Sequence, residues 1–331
     1  MNKGFSIIEF MIAMTLGALL VATAGSVYLS NKSTWQMQAG LARLQENARH
    51  ANYFLNYEIR AAGYQGCITG GSATINNLVK NPSSAVNFDN PVRGYDGEGA
   101  FSPSLPANLT GKAALGSDVV EVRRASNTSV QLSSDMVNPK TAVHVYERLG
   151  IQAEEVLIVS DCAVGDIFKA GANTNATVIA VSSSNNNTPA LTKAFTTSSQ
   201  VMRFIYYSFY IKDTGRTNAA NQPVYALVRQ DLNGTEVEIA EGVEKMRIQY
   251  GVDTNADRTA DLFQTATEVN SSNNWNKVIG LKINLLLSTI ENVANQPQAY
   301  QFNGGTITPA DNQLRREWET YVTVRNRGLP L

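Results

Sequence analysis

Glu9 is the residue whose position most clearly indicates a functional interaction. It stands at the start of an apolar run, and the twenty residues 10–29 contain no Lys, Arg, Asp, Glu, Asn or Gln. An ionisable side chain at the edge of a membrane-length segment is costly to desolvate and therefore calls for a cationic partner. The alternative is that Glu9 reaches the membrane surface and stays in water, so that its helix is a plain anchor.

A second candidate site is the segment DTNADRTAD, in which oxygen-bearing side chains alternate with other residues. Ligands at alternate positions of a tight loop can converge on a calcium ion. Calcium is therefore the one candidate cofactor, with these ligands: Asp253, Asn255, Asp257, the carbonyl of Thr259, and Asp261. Arg258 and Gln264 stand where longer calcium loops carry glycine and a bidentate glutamate, so a nine-residue loop is the version that fits. The alternative is a solvated Asx turn.

The two cysteines, Cys67 and Cys162, both follow the apolar run. If the chain is exported, a disulfide between them is expected. A bridge that closes about 95 residues would stabilise the fold by about 4 to 5 kcal/mol in the loop-entropy model. Two buried free thiols and a redox pair are the alternatives, although no C-x-x-C motif supports a redox role.

The sequence contains no recognisable catalytic constellation. There are two histidines, His50 and His144, and neither H-E-x-x-H, G-x-S-x-G nor G-x-x-x-x-G-K occurs. We therefore expect a protein that is not an enzyme. The formal net charge of −1 and the pI near 6.2 give no electrostatic reason to expect a specific nucleic-acid partner.

A long helix is the element that must position Glu9. Residues 10–29 are long enough to cross the hydrocarbon core of a bilayer as a helix. Beyond them, apolar residues recur at spacings of three or four, which is typical of one buried helical face: Met37, Leu41, Leu44, Ala48, Ala51, Leu55 and Ile59. Gly63 is predicted to mark the end of this helix, because glycine is common just after a helix C-terminus. The pattern predicts one helix over residues 5–62, about 87 Å long.

After residue 63 the composition becomes that of a strand-rich soluble domain. Segments dense in β-branched and aromatic residues predict strands over 201–211, 225–229, 236–240, 245–250, 278–287 and 321–325, with Asn233-Gly234 as a hairpin turn. Polar segments predict loops over 173–189, 270–274 and 292–309. Because antiparallel strands need cover on their apolar face, we expect the second half of the helix to lie on this sheet.

The N-terminal segment KGFSIIEF resembles the class III signal of type IV pilins and pseudopilins. The resemblance implies that a prepilin peptidase cleaves between Gly4 and Phe5, methylates the new amine of Phe5 and leaves the apolar helix attached. It also implies a partner for Glu9, namely the cationic N-terminus of a neighbouring subunit. That ion pair would set the axial register between subunits.

Three head segments look like landmarks of the PilW family of minor pilins: AAGYQGC, RGYDG, and VLIVSDC followed by GDIF. The later half of the chain agrees with that family more loosely. Membership implies an α+β, pilin-like fold, in which a long N-terminal helix packs on an antiparallel β-sheet head. The implied division is a leader at 1–4, a transmembrane and assembly helix at 5–30, an amphipathic helix at 31–62 and a periplasmic head at 63–331.

The resemblance implies a minor pilin that helps to prime type IV pilus assembly and sits at or near the pilus tip. Its implied partners are other minor pilins, the major pilin, the prepilin peptidase and the inner membrane, with a large tip adhesin as a further candidate. The head would be periplasmic before assembly and extracellular afterwards. The alternatives are a type II secretion pseudopilin similar to GspJ and a ligand-binding module at the tip.

Overall fold

The computed structural model describes residues 6–68, 74–146 and 150–327. Within them lie the helices α1 (Ile7–Ala61) and α2 (Ala266–Ser271) and three short 3-10 helices at Ser84–Val86, Trp275–Lys277 and Arg325–Arg327. The strands are β1 (Thr74–Asn77), β2 (Val92–Tyr95), β3 (Val119–Gln131), β4 (Val143–His144), β5 (Val156–Ser160), β6 (Val164–Lys169), β7 (Val178–Ile179), β8 (Gln200–Thr217), β9 (Pro223–Asp231), β10 (Glu236–Glu241), β11 (Val243–Val252), β12 (Leu262–Gln264), β13 (Val278–Ser288), β14 (Tyr300–Phe302), β15 (Gly305–Ile307) and β16 (Arg315–Thr323).

Helix α1 is one continuous element of 55 residues, which corresponds to about 82 Å at 1.5 Å per residue. It ends before Gly63, as predicted, and the φ of +76° at Gly63 is one that side-chain-bearing residues rarely adopt. The predicted apolar stripe faces the head, with Met37 and Leu41 half-buried and Leu44 onwards fully buried. The fold is therefore α+β and pilin-like, as the sequence predicts.

A large sheet is organised around β8, which has 18 residues. Strand β3 pairs along one edge of β8, while β5 and then β9 pair along the other. The path runs β1-β6-β5-β8-β3-β2, with β10 added beyond β9. All these pairs are antiparallel except β1 with β6. The Asn233-Gly234 hairpin between β9 and β10 lies where the sequence predicts it.

A second, four-stranded sheet has the order β12-β11-β13-β16. The buried face of α1 packs into one core cluster with residues from both sheets, among them Val122, Leu227, Ile248 and Leu285. The expectation that the second half of the helix covers the sheet is thus confirmed. The last predicted strand is displaced, because β16 covers Arg315–Thr323 and not residues 321–325.

The prediction of an uninterrupted loop over residues 292–309 is wrong. Strands β14 and β15 pair there as a hairpin whose turn is Asn303-Gly304, with φ values of +49° and +78°. Three-residue strands are too short to show alternating polarity, although Asn-Gly is itself a hairpin signal. The predicted loop over 173–189 likewise contains β7, which pairs with β4, and α2 extends into the predicted loop over 270–274.

A buried ion pair joins α1 to the large sheet. The Nε of Arg124 on β3 donates to Glu58 Oε2 at 2.7 Å, and Nη2 donates to Oε1 at 3.2 Å. Both side chains are less than one-tenth exposed. Burial alone would lower the pKa of the Arg124 guanidinium, but the hydrogen bonds and charge of Glu58 raise it overall. The two-pronged contact therefore fixes the rotation of the helix relative to the head.

Glu58→Ala is expected to lower the free energy of unfolding by about 3 to 5 kcal/mol, because it leaves the Arg124 charge buried and unpaired. Glu58→Met combined with Arg124→Met should recover most of this loss, since no unpaired charge then remains. Urea unfolding of the full chain in detergent measures both variants. Arg216→Gln, which removes the exposed pair with Glu238, is the control and should cost less than about 1 kcal/mol. Equal effects of Glu58→Ala and Arg216→Gln would contradict the proposed role of the buried pair.

Candidate assembly surface on the N-terminal helix

The first half of α1 projects from the head without covering. Every side chain from residue 7 to residue 32 is exposed, and many of them are large and apolar, including Ile7, Phe10, Met14 and Leu20. Among the described residues, α1 is the one helix long and apolar enough to cross a membrane, and none of its most apolar stretch is buried within the chain. An apolar surface of this extent has to be covered by lipid or by other helices.

Glu9 has a contact inside its own subunit. The backbone N–H of Ser6 donates to Glu9 Oε2 at 3.1 Å, and Ser6 in turn caps the first turn of α1 with its hydroxyl. This reciprocal arrangement is a capping box, which satisfies N–H groups that a helix N-terminus otherwise leaves without partners. Within the described residues no donor approaches the other carboxylate oxygen, Oε1, which is therefore available to a group from outside the chain.

The capping role of Ser6 was missed at the level of sequence. Its signal was present, because Ser6-Ile7-Ile8-Glu9 has the S-x-x-E spacing of a capping box directly before an apolar run. Gly4 and Phe5, the expected cleavage and methylation residues, lie outside the described residues. Their processing therefore stays a prediction.

The disulfide is present between Cys67 and Cys162, whose Cα atoms are 4.9 Å apart. Cys67 lies in the segment that leaves the end of α1, and Cys162 lies in the turn between β5 and β6. The predicted pairing is confirmed, and the alternative of two free thiols does not apply. The bridge links the segment after α1 covalently to the turn between β5 and β6 of the large sheet.

The Asp253 loop brings together the side chains that the sequence selected as calcium ligands. Asp253 accepts three backbone N–H groups of its own loop, at 2.7 to 3.2 Å. The Nδ2 of Asn255 donates to both Asp257 and Asp261, at 3.1 and 3.2 Å. The amide of Asn255 thus occupies the space between two carboxylates that a cation would have to bridge.

Hydrogen bonds also favour the charged form of two acidic side chains of this loop, Asp257 and Asp261. Thr259 lowers the pKa of Asp257, and Thr254 lowers the pKa of Asp261, in both cases by donating its hydroxyl and its backbone N–H. Among the residues that the structure describes, no group of three or more His, Cys, Asp or Glu side chains is arranged to hold a metal ion. Calcium would have to displace some of these hydrogen bonds, and its binding stays a prediction.

We predict that about 1 mM CaCl₂ raises the melting temperature of the full chain, because extracellular calcium modules bind at about 0.1 to 1 mM. Differential scanning fluorimetry in CaCl₂ and in EDTA measures the shift. Asp257→Asn combined with Asp261→Asn is the matched control, since both side chains are exposed and the variant should not respond. Identical melting temperatures of the unaltered chain in the two buffers would reject the calcium site.

Two family models match parts of this chain. The model of the prokaryotic N-terminal methylation motif matches residues 1–25, and the model of type IV pilus-assembly protein W matches residues 208–326. The second match begins within β8 and extends through the second sheet, which is the half where the resemblance was expected to be looser. The head landmarks AAGYQGC, RGYDG and VLIVSDC lie outside it. Neither the curated proteins nor the solved structures yield a significant match.

Proposed function

We propose that this chain, which is a type IV pilus minor pilin of the PilW family, takes part in priming pilus assembly and occupies a position at or near the pilus tip. The observation that carries the proposal is the uncovered apolar half of α1, which is exposed from residue 7 to residue 32 and continuous with the half that packs on the head. One element can serve as the membrane anchor before assembly and as the packing surface afterwards.

Two glycines in the exposed half of α1 would allow a neighbouring helix to approach closely. At Gly17 and at Gly25 a Cβ atom would meet nothing within 4 Å, so both backbone positions are open in the single subunit. Small residues let helix backbones approach closely, and association in lipid depends on such packing because the hydrophobic effect does not distinguish helix from lipid. The minor pilins would therefore associate within the membrane, before any fibre exists.

Glu9 supplies the directional part of this association. Its Oε2 serves the capping box, and no donor among the described residues approaches Oε1, which could accept from a donor of another subunit. A cationic N-terminal amine of that subunit would pair with Oε1 in a medium of low dielectric constant, where ion pairs are strong if both charges are matched. A subunit that keeps this carboxylate can be placed below another subunit, which favours a place near the tip over the topmost place.

Deletion of the gene for this chain is the experiment that tests the proposed function. We expect a loss of surface pili in electron micrographs, and restoration by the unaltered gene. A chain carrying an epitope tag, labelled with gold, should be found at one end of sheared fibres. Normal pilus numbers together with failed export of folded proteins would replace this proposal with the secretion pseudopilin, and uniform labelling along fibres would contradict the tip position.

A further inference from the structure

A cleft with a volume of about 780 Å³ lies beside the last turns of α1. Its walls come from three separate parts of the chain, namely α1 with the residues just after it, Asn127 within β3, and the C-terminal segment around Arg325. We call it the arginine cleft, because Arg49, Arg60 and Arg325 all line it. Among the described residues that line it, no side chain is acidic.

The three arginines of this cleft are exposed. In the described parts of the chain none of the three makes an ion pair, whereas Arg124 and Arg315 are each paired with a carboxylate. Three like charges around one concave surface repel one another and attract an anion. The cleft is therefore electrostatically complementary to an acidic ligand.

Two stacked tyrosine rings line part of the cleft. The rings of Tyr53 and Tyr57 are stacked, with centroids 6.5 Å apart and an interplanar angle of 19°, and they are 64% and 42% exposed. The Nδ2 of Asn127 donates to the Tyr57 hydroxyl at 2.6 Å, which holds that ring in place. Exposed tyrosine and arginine together are the residue types that most often carry the binding energy of protein interfaces.

The position of the cleft along α1 favours a protein ligand over a lipid headgroup. Arg49 lies twenty residues beyond the end of the apolar run, which is about 30 Å along the helix, so lipid headgroups are out of reach. A neighbouring subunit packed along the first half of α1 is held beside the second half as well. Tethering of this kind raises the effective concentration of the neighbour at the cleft to roughly the millimolar range.

We infer that the arginine cleft binds an acidic surface of the adjoining pilus subunit, with Arg49, Arg60 and Arg325 as the charged contacts and Tyr53 and Tyr57 as the packing contacts. The inference rests on the proposed function, because it takes the neighbour from the assembly that α1 makes. It adds the chemistry of the partner, which carries Asp or Glu side chains where it meets the cleft. The contact should weaken as salt concentration rises.

Photo-crosslinking in cells that express the full set of pilus proteins tests this inference. A benzoylphenylalanine at Tyr53 should give a crosslink to another pilin, and mass spectrometry should place the crosslink in a segment rich in Asp and Glu. The same group at Tyr146, which is 66% exposed on another part of the head, is the control and should give no such product. A group at Met14, in the exposed apolar half of α1, reports on helix assembly itself.

Charge removal then tests the role of the arginines. Arg60→Gln should lower the yield of the crosslink at Tyr53 by about tenfold, as expected for one interface arginine, whereas Arg316→Gln, an exposed arginine outside the cleft, should leave it unchanged. Equal melting temperatures of the two variants exclude misfolding. If Arg60→Gln unfolds the chain, the Tyr53 crosslink of the unaltered chain should instead decline as NaCl rises, and a salt-independent yield would overturn the inference.

The outcomes separate this inference from the proposed function. Crosslinks at Met14 without any at Tyr53 would overturn the inference and leave helix assembly standing, and no crosslink at either position would overturn both. A product at Tyr53 that contains nucleic acid or lipid, or one that maps to a segment without acidic residues, would also overturn it.

Discussion

Glu9→Gln is expected to reduce incorporation of this minor pilin into pili at least about a hundredfold, because loss of one partner of a buried ion pair costs about 3 to 5 kcal/mol. The glutamine cannot balance the charge of a neighbouring amine in the membrane. Immunoblots of sheared pili against the membrane fraction measure the effect. The total amount of the chain should stay unchanged, since the head lies far from residue 9.

Comparison with Glu9→Ala separates the two functions of this carboxylate. Glutamine at the third helical position still accepts the N–H of Ser6, so Glu9→Gln keeps the capping box while removing the charge. Glu9→Ala removes both the cap and the charge. If the ion pair sets the register, the two variants should fail to the same degree. Normal incorporation of Glu9→Gln together with failure of Glu9→Ala would show that the cap, and not the charge, is what assembly requires.

Replacement of Cys67 and Cys162 together by serine is expected to lower the free energy of unfolding by about 4 to 5 kcal/mol in the loop-entropy model. The bridge closes a loop with a sequence separation of 95 residues, so its loss releases much conformational freedom in the unfolded chain. A small domain has a total stability of about 5 to 15 kcal/mol. The double variant should therefore melt at a much lower temperature than the unaltered chain and accumulate poorly in cells.

Reduction of the unaltered chain provides the control for this prediction. With dithiothreitol present, the unaltered chain and the double variant should unfold at nearly the same urea concentration, because both then lack the bridge. Glu58 and Arg124 should still hold the helix to the head in both. A difference of less than about 1 kcal/mol between the oxidised chain and the variant would contradict the loop-entropy argument.

Several elements of this protein follow from patterns that are local in sequence. The apolar run at residues 10–29, the stripe that continues to Ile59 and the stop at Gly63 together predict α1, because side chains three or four residues apart share a helical face. The strands β8 to β11 follow from β-branched and aromatic segments and from the Asn233-Gly234 turn. The capping box at Ser6 was equally local, and it was missed although its spacing is visible.

Other features depend on which distant segments the fold brings together. Glu58 and Arg124 are separated by 66 positions, and no local pattern indicates that their charges meet. No strand before β8 was predicted, including β3 with its 13 residues. The shortest strands, such as β14 and β15, are stabilised by their partners more than by their own residues. In the Asp253 loop the sequence shows oxygen-bearing side chains at alternate positions. Only the structure shows that these side chains already accept hydrogen bonds within the loop.

The sequence by itself determined that this chain carries a membrane-length helix with one carboxylate, a strand-rich head and one pair of cysteines, because periodicity, composition and motif spacing are properties of neighbouring residues. Tertiary structure alone decided that Glu58 meets Arg124 and that Arg49, Arg60 and Arg325 line one cleft. The reason is physical, since these properties depend on backbone geometry and on contacts between segments far apart in the chain.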